Sequence, residues 1–396
     1  MNNTREYLMP DYFPDFHCKM GACRSACCEG WPISFSLTDY FRLLSVECSP
    51  DLRRKLDCAM HISDHPSPEA YAQISPRYDG QCPMRLDDGR CALHAELGDG
   101  VLAAVCRLYP RGIRTGEVHE CSCANSCEAV IELLFNRQEK IRFVSLPMDS
   151  EVPETPSRQF HFENAGREQE IRLWLISQVQ NRRYPLPQRL VLLGESLEAL
   201  SQALTTGNHQ RVDALLSGKE TLPAPEKITA DHDHLRFGLQ VANRMMEIMD
   251  ERSDSICAYG EKALRYFGEG ESEYQKYVTA SNHLAEMIPQ WETWFEHMLV
   301  NHMFFAQFPF QDRPVDLMDE FIALCAIYIL LRFLCVGCMA DQTDAEKAID
   351  VAAAAFRLID HTEFDRYAAP MLKEICECKH ISCILCLREA KQLFPL

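Results

Sequence analysis

Ten cysteines in the first third of the chain carry its most specific chemical signal: Cys18, Cys23, Cys27, Cys28, Cys82, Cys91, Cys106, Cys121, Cys123 and Cys127. Four of them run as C-x4-C-x3-C-C, with Gly21, Ala22, Ser25 and Ala26 between them to keep the loop small. Close thiolates on a turn-rich segment can converge on one centre, and soft sulfur donors suit zinc or an iron-sulfur cluster. A centre takes three or four protein ligands, so ten candidates mean that some are spectators or that two centres exist. Packing of thiols as small apolar side chains is the alternative, and the clustering speaks against it. Cys48 and Cys58 stand alone in helix-like sequence and read as plain core residues.

The rest of the chain must position these thiols. Its 396 residues are about two to three times the usual ~100–150-residue domain, enough for a sizeable core. All twelve cysteines before residue 128 are followed by none until Cys257. That asymmetry divides the sequence into a Cys-rich region (1–147), a linker (148–159) around Glu151–Ser157, and an α-helical domain (160–396). The expected fold is mainly α, an irregular, short-helix metal-binding region followed by a multi-helix domain. In the first region, helices are expected at Leu37–Leu44, behind a Ser36 or Thr38 cap, and at Gly100–Leu108, and a strand at Ile141–Leu146. Beyond Phe160 the apolar stripes recur at helical spacing through Leu173–Val179, Leu190–Leu204, His234–Met249, Ala258–Phe267, Tyr274–Ile288, Trp291–Phe305, Leu317–Met339, Ala345–Ile359 and Pro370–Phe394.

Charge and targeting signals narrow the function. Lys+Arg 40 against Asp+Glu 58 leaves a net charge of −18, which repels phosphate backbones, so nucleic acid is not an expected partner. A partner that offers lysines is electrostatically easier to accept. The first ten residues hold no apolar leader, so a cytoplasmic location is expected, where thiols stay reduced and bind metal or catalyse. The apolar run Phe321–Leu331 is shorter than the ~18 residues of a spanning helix and reads as a core helix, with no membrane span expected.

The sequence resembles the flagellin lysine-N-methylases, within the wider group that carries a zinc- or iron-chelating CxxCxxCC segment. The resemblance rests on Pro10-Asp-Tyr-Phe-Pro-Asp-Phe-His-Cys18, on Cys23-x3-Cys27-Cys28 followed by Gly30-Trp31, on Cys82-Pro with Gly89-Arg-Cys-x-Leu-His94, and on Cys106-Arg-x-Tyr-Pro-Arg111. It extends more loosely to Leu299-Val-Asn-His-Met-Phe-Phe305. It implies methyl transfer from S-adenosylmethionine to lysine side chains of flagellin, with a 4Fe-4S cluster held by the N-terminal cysteines. Zinc is the alternative metal.

A cluster bound by three cysteines leaves one iron open to the amino and carboxylate groups of S-adenosylmethionine. The radical enzymes that do this carry C-x3-C-x2-C; here Cys28 follows Cys27 directly, so radical chemistry does not follow. No strand leads into G-x-G-x-G, since Gly98-Asp-Gly100 and Gly268-Glu-Gly270 lack that context. Methylation needs a neutral amine, and Tyr109, Asp87 and Asp88 are candidates to take its proton, against a plainer role in packing or turns. Arg107 and Arg111 could balance anionic thiolates or pair with the cosubstrate carboxylate, so Arg107, Tyr109 and Arg111 form the candidate cosubstrate set.

Three weaker patterns read as structural. Cys376-x-Cys378-x4-Cys383-x2-Cys386 and Cys335-x2-Cys338 are taken as core thiols, and Asp231-His-Asp-His234 as a helix cap rather than a metal clip. Trp291, Trp294, Phe295, Phe304 and Phe305 read as core. The rival functions are a zinc-stapled, non-catalytic protein-binding module and an electron-transfer or cluster-carrying protein.

Overall fold

The computed structural model describes residues 4–24, 27–115, 118–149, 155–156, 167–225, 244, 254–268, 273–310, 317–362 and 364–376. Eight strands occur among them: β1 (Thr4–Pro10), β2 (Ile33–Phe35), β3 (Met60–Ile62), β4 (Ala72–Ile74), β5 (Arg111–Thr115), β6 (Glu120–Cys123), β7 (Phe143–Asp149) and β8 (Thr155–Pro156). The helices are α1 (Leu37–Ser45), α2 (Pro50–Ala59), α3 (Ala92–Leu97), α4 (Ala104–Leu108), α5 (Glu128–Phe135), α6 (Glu168–Val179) and α7 (Leu186–Thr205). They continue with α8 (His209–Leu216), α9 (Asp254–Phe267), α10 (Glu273–Met287), α11 (Trp291–Phe305), α12 (Leu317–Met339), α13 (Lys347–His361) and α14 (Phe364–Cys376). The protein is mainly α, with a Cys-rich N-terminal region that carries most of its short elements.

Two apolar cores are nested along the chain. The smaller is built from residues between Phe35 and Ala103, where β2, β4 and β3 form an antiparallel sheet backed by Leu43, Leu52, Leu56 and Leu93. The larger core joins what precedes and follows that stretch, so Tyr7, Met9, Val130 and Leu134 pack with Trp294, Phe321 and Phe356. Its sheet runs β7-β1-β6-β5-β8. β1 pairs antiparallel with β7 from Thr4 opposite Asp149 to Pro10 opposite Phe143, and lies parallel to β6 at Leu8 opposite Glu120. The hairpin β5–β6 sets Arg111 opposite Cys123 and Ile113 opposite Cys121.

α12 is the axis of the helical body. It is apolar on all faces and packs against α7, α9, α10, α13 and α14, the arrangement such a helix requires in water. It is long and apolar enough to cross a membrane, yet 83% of its most apolar stretch is buried inside the fold, which agrees with a core helix. Cys335 and Cys338 lie buried along it, and the Cys338 thiol donates to the Tyr259 carbonyl oxygen at 3.2 Å. Trp294, Phe295 and Phe304 of α11 are at most 1% exposed and belong to the core as expected.

Local chemistry explains where the elements begin. Ser36 caps α1 by accepting from the Asp39 amide at 3.1 Å, and Ser49 caps α2 with Pro50 in the first turn. The helix expected over Gly100–Leu108 is broken instead. A 3-10 turn covers Asp99–Val101, then Leu102 and Ala103 turn extended to reach the small core, and α4 restarts with the Asp39 carboxylate accepting from the Ala104 amide at 3.0 Å. The last helix begins at Phe364 rather than Pro370, which falls inside it; Phe364, Ala368 and Ala369 pack into the large core and outweigh the proline's lost hydrogen bond. The expected strand lies at Phe143–Asp149, and α8 had no counterpart in the sequence reading. The helix expected at His234–Met249, the Asp231–His234 pattern, most of the 148–159 linker and Cys378, Cys383 and Cys386 lie outside the described residues.

Buried charges tie the sheet to the helices. The Arg172 guanidinium of α6 meets the Glu120 carboxylate of β6 at 2.6 Å, both side chains being 5% exposed, and donates to the Phe304 carbonyl oxygen at 3.0 Å. Arg189 and Arg182 converge on the wholly buried Glu296 of α11 at 2.5 and 2.9 Å. Removing one member strands a buried charge at a cost of about 3–5 kcal/mol, whereas replacing both with apolar groups is close to neutral. Arg172→Met is therefore expected to lower unfolding stability in denaturant titration by about 3–5 kcal/mol, and Arg172→Met/Glu120→Leu to recover most of that loss. A single variant as stable as the parent would contradict this role.

Candidate active site

The thiol-bearing loop is positioned by two devices. The first is a backbone-on-backbone contact between Gly21 (φ +103°) and Gly89 (φ +84°): a Cβ on Gly21 would sit 2.6 Å from the Gly89 carbonyl carbon, and one on Gly89 would strike the Gly21 carbonyl oxygen. Both residues also hold left-handed conformations, so glycine alone fits at either. This contact sets the Cys18–Cys28 loop against the turn that leads into Cys91. The second device is electrostatic. Lys19 reaches Glu128 at 2.8 Å and Glu132 at 2.5 Å on α5, while Arg24 reaches Asp350 of α13 at 2.6 Å and Glu132 at 3.2 Å.

Short backbone links then bring the thiols together. The Cys82 amide donates to the Cys28 carbonyl oxygen at 3.0 Å, and isolated bridges pair Glu29 with Gln81 and Arg85 with Cys91. Cys28 accepts hydrogen bonds from the Cys27 and Cys82 thiols, and these bonds, helped by Arg85, hold it well below the usual thiol range despite burial. The same bonds, together with burial, push Cys27 and Cys82 upward as donors. Burial raises Cys91, and it pushes Cys106 up to about 12, with the Cys91 and Cys28 charges adding to it. Cys27, Cys28, Cys82, Cys91 and Cys106 therefore form one electrostatically linked row, which opens to solvent at Cys27 and Cys106.

Cys18, Cys23 and Cys127 lie at the other end. Cys127, the N-cap of α5, is pushed to about 11 by burial, against the Val130 and Ala129 amides, which favour its thiolate; Cys23 and Cys18 add to the rise. Cys23 is raised by burial and by Glu128. Cys121 and Cys123 differ from all of these. Two residues apart on β6, both are 0% exposed within the large core, and burial raises both, Cys121 to about 12. Of the loners, Cys48 packs on the small core and Cys58 is exposed on α2.

The donors are all sulfur, which fits the zinc or iron-sulfur chemistry that the resemblance implies. As placed, no three His, Cys, Asp or Glu side chains among the described residues form a group that could hold a metal ion. Cys28 links its neighbours as a chain, with one thiol on each side.

Beside this row stands a polar network that spacing alone did not disclose. Asn301 of α11 donates to the Cys123 carbonyl oxygen at 2.8 Å and to Asn125 at 2.6 Å, and accepts from the Tyr12 hydroxyl. Asn125 donates to the Met298 carbonyl oxygen at 2.8 Å. From α13, Asp360 accepts from the Ser126 amide at 3.0 Å and stands 3.5 Å from His302 Nδ1, while Arg357 donates to the Ser126 carbonyl oxygen at 3.3 Å. The segment Cys123–Cys127 is thus pinned to two helices of the body. Asn301 and His302 lie in the Leu299–Phe305 motif and Tyr12 in the Pro10–Cys18 motif, the stretches of the resemblance that pointed here.

The α13 terminus also meets the loops through rings. His361 packs against Trp31 with centroids 4.7 Å apart and against Tyr109 at 5.9 Å. Burial pushes the Tyr109 phenol well up, with the Cys127 and Cys27 charges adding to the rise. Tyr109 therefore belongs to the thiol row, whereas Arg111 stacks over Phe16 at 4.7 Å and faces Cys123. Arg107 sits half-buried on α4, one residue from Cys106. Asp87 lies in the turn before Gly89, and Asp88 is paired with Arg90 at 2.7 Å in that turn.

Residues 172–385 match the family profile described as the FliB lysine N-methylase C-terminal domain. This stretch exceeds half of the chain and supplies His302, Arg357, Asp360 and His361 to the site. The chain belongs to the FliB lysine N-methylase family. Two curated relatives, the lysine-N-methylases of Salmonella choleraesuis (strain SC-B67) and Salmonella typhimurium (strain LT2), are each 26% identical over 129 residues. The match spans 32% of this chain and about a third of the length of those relatives. No solved structure matches.

The thiol electrostatics are open to a direct check on reduced, metal-free protein. Iodoacetamide at mildly acidic pH should label Cys28 before Cys91 and Cys106, because only the thiolate reacts and the depressed group ionises first. Cys121 and Cys123 should label only on unfolding. Labelling of Cys121 at the rate of Cys28, read by peptide mass spectrometry, would contradict the arrangement.

Proposed function

We propose that the chain methylates lysine side chains of a protein, with S-adenosylmethionine as methyl donor and flagellin as acceptor. The family match over the helical body carries this reading. The site supports it through an open thiol row flanked by imidazole, phenol and carboxylate groups. The acidic chain as a whole also favours a lysine-bearing acceptor.

In this reading three thiols of the row Cys27, Cys28, Cys82, Cys91 and Cys106 supply the ligands of an iron-sulfur centre, and the others are spectators. Cys18, Cys23 and Cys127 shape its other end, and Cys121 and Cys123 serve the core. Bound there, a cluster would offer an open iron to chelate the amino and carboxylate groups of the donor and so fix its methyl group. Arg85 offsets the negative charge that ionised Cys28 brings. In the same reading Arg107, one residue from Cys106, pairs with the donor carboxylate. The polar network from Tyr12 to His302 holds the Cys123–Cys127 segment in place beside the row. A reducing, cytoplasmic setting keeps the thiols free for this role.

The deciding assay incubates anaerobically purified, iron-loaded protein with S-adenosylmethionine and flagellin. Mass increments of one methylene on flagellin lysines are expected, absent when the donor is omitted. An iron-loaded preparation that binds flagellin and leaves its mass unchanged would overturn the reading in favour of a binding module.

A further inference from the structure

Methyl transfer to lysine requires that the ammonium lose a proton before its nitrogen can attack. The groups beside the thiol row differ in their ability to take it. Burial keeps the Tyr109 phenol protonated, so it can donate but not accept. Cys91, Cys106 and Cys127 are raised in the same sense. His302 is 6% exposed and held beside the buried Asp360. His361 alone among these groups combines an imidazole with an exposed position at the rim.

Its surroundings fix the ring. Trp31, three residues beyond Cys28, packs at 4.7 Å on an interplanar angle of 31°, and Tyr109, three beyond Cys106, at 5.9 Å and 28°. Both flanking rings thus arrive on the segments that carry the thiols, while His361 arrives on the last residue of α13. The charged and titratable groups that face it are Asp360 and Arg357 from its own helix and Tyr109 from the segment opposite.

We propose that His361 accepts the proton of the substrate lysine ammonium, with Trp31 and Tyr109 as the positioning residues that hold its ring. The proposal rests on the methyl-transfer reading. An N–H bond of the ammonium breaks and its proton passes to the free imidazole nitrogen. The freed lone pair forms the N–C bond to the methyl group of the sulfonium donor, the S–C pair stays on sulfur to give a thioether, and the imidazolium returns its proton to water. Desolvation by the packed rings and helix end lowers the His361 pKa, with Arg357 acting the same way against Asp360. The acceptor form is therefore present at neutral pH and is lost as pH falls through that lowered value.

The test compares full-length parent, His361→Asn and His361→Ala proteins, iron-loaded, with flagellin and S-adenosylmethionine across pH. The parent rate should fall on the acid side, and His361→Asn should be slower by about 10²–10⁴ and lose that acid limb. Added imidazole should partly restore His361→Ala, while iron content stays at the parent level. A His361→Asn protein with the parent's rate and pH profile would overturn the proposal, as would a loss accompanied by loss of iron and no imidazole rescue. If the iron-loaded parent itself transfers no methyl group, the function reading fails and this inference falls with it. An active parent with an unaffected variant sinks the inference alone.

Discussion

The Glu128 carboxylate has no exposed surface, and Lys19 and Arg24 meet it from the thiol loop at 2.8 and 3.7 Å. Burying a carboxylate without cationic partners is strongly unfavourable, so α5 and the loop are obliged to come together. The arginine extends the constraint to Asp350, which makes α5, α13 and the loop one electrostatic unit. Cys23 lies between the two cations in sequence, and Cys27 and Cys28 follow directly. Where the thiols sit is therefore decided by carboxylates on helices that lie far away in the chain.

The nested cores give this anchorage its meaning. Cys28, Cys82 and Cys91 belong to or pack on the small core, while Cys123 and Cys127 belong to or pack on the large one. The row of thiols therefore lies on the small core and meets the large one where the Cys127 charge acts on Cys27. Trp31 against His361, and Arg24 against Asp350, join the loops to α13. The polar network around Asn301 keeps the large-core side rigid, because the side chains of Tyr12, Asn125 and Asn301 find partners within the fold.

Long periodic helices were legible in the sequence: Trp291–Phe305 and Leu317–Met339 have the bounds that their apolar stripes indicated. Short elements were legible in part: the Ser36 cap placed α1, but elsewhere a few core contacts outweigh propensity over five or six residues, as the break at Leu102 and Ala103 shows. Cysteine spacing identified the thiol-rich region but could not sort its members. Cys121 and Cys123 look like ligands in a C-x-C-x3-C pattern, yet alternation along β6 turns both towards one buried face. Conversely His361 and Asp360 carry no local signature, since their place beside the thiols arises only when the end of α13 meets the loops.

In the proposed function, one row of thiols, and not the whole set of ten, holds the metal centre. Iron and acid-labile sulfide per chain, measured on anaerobically purified Cys28→Ser, Cys82→Ser, Cys121→Ser and Cys123→Ser proteins, test it most directly. The first two should lose most of their iron and sulfide while the latter two keep the parent content. Full iron in Cys28→Ser together with loss in a folded Cys121→Ser protein would contradict the account.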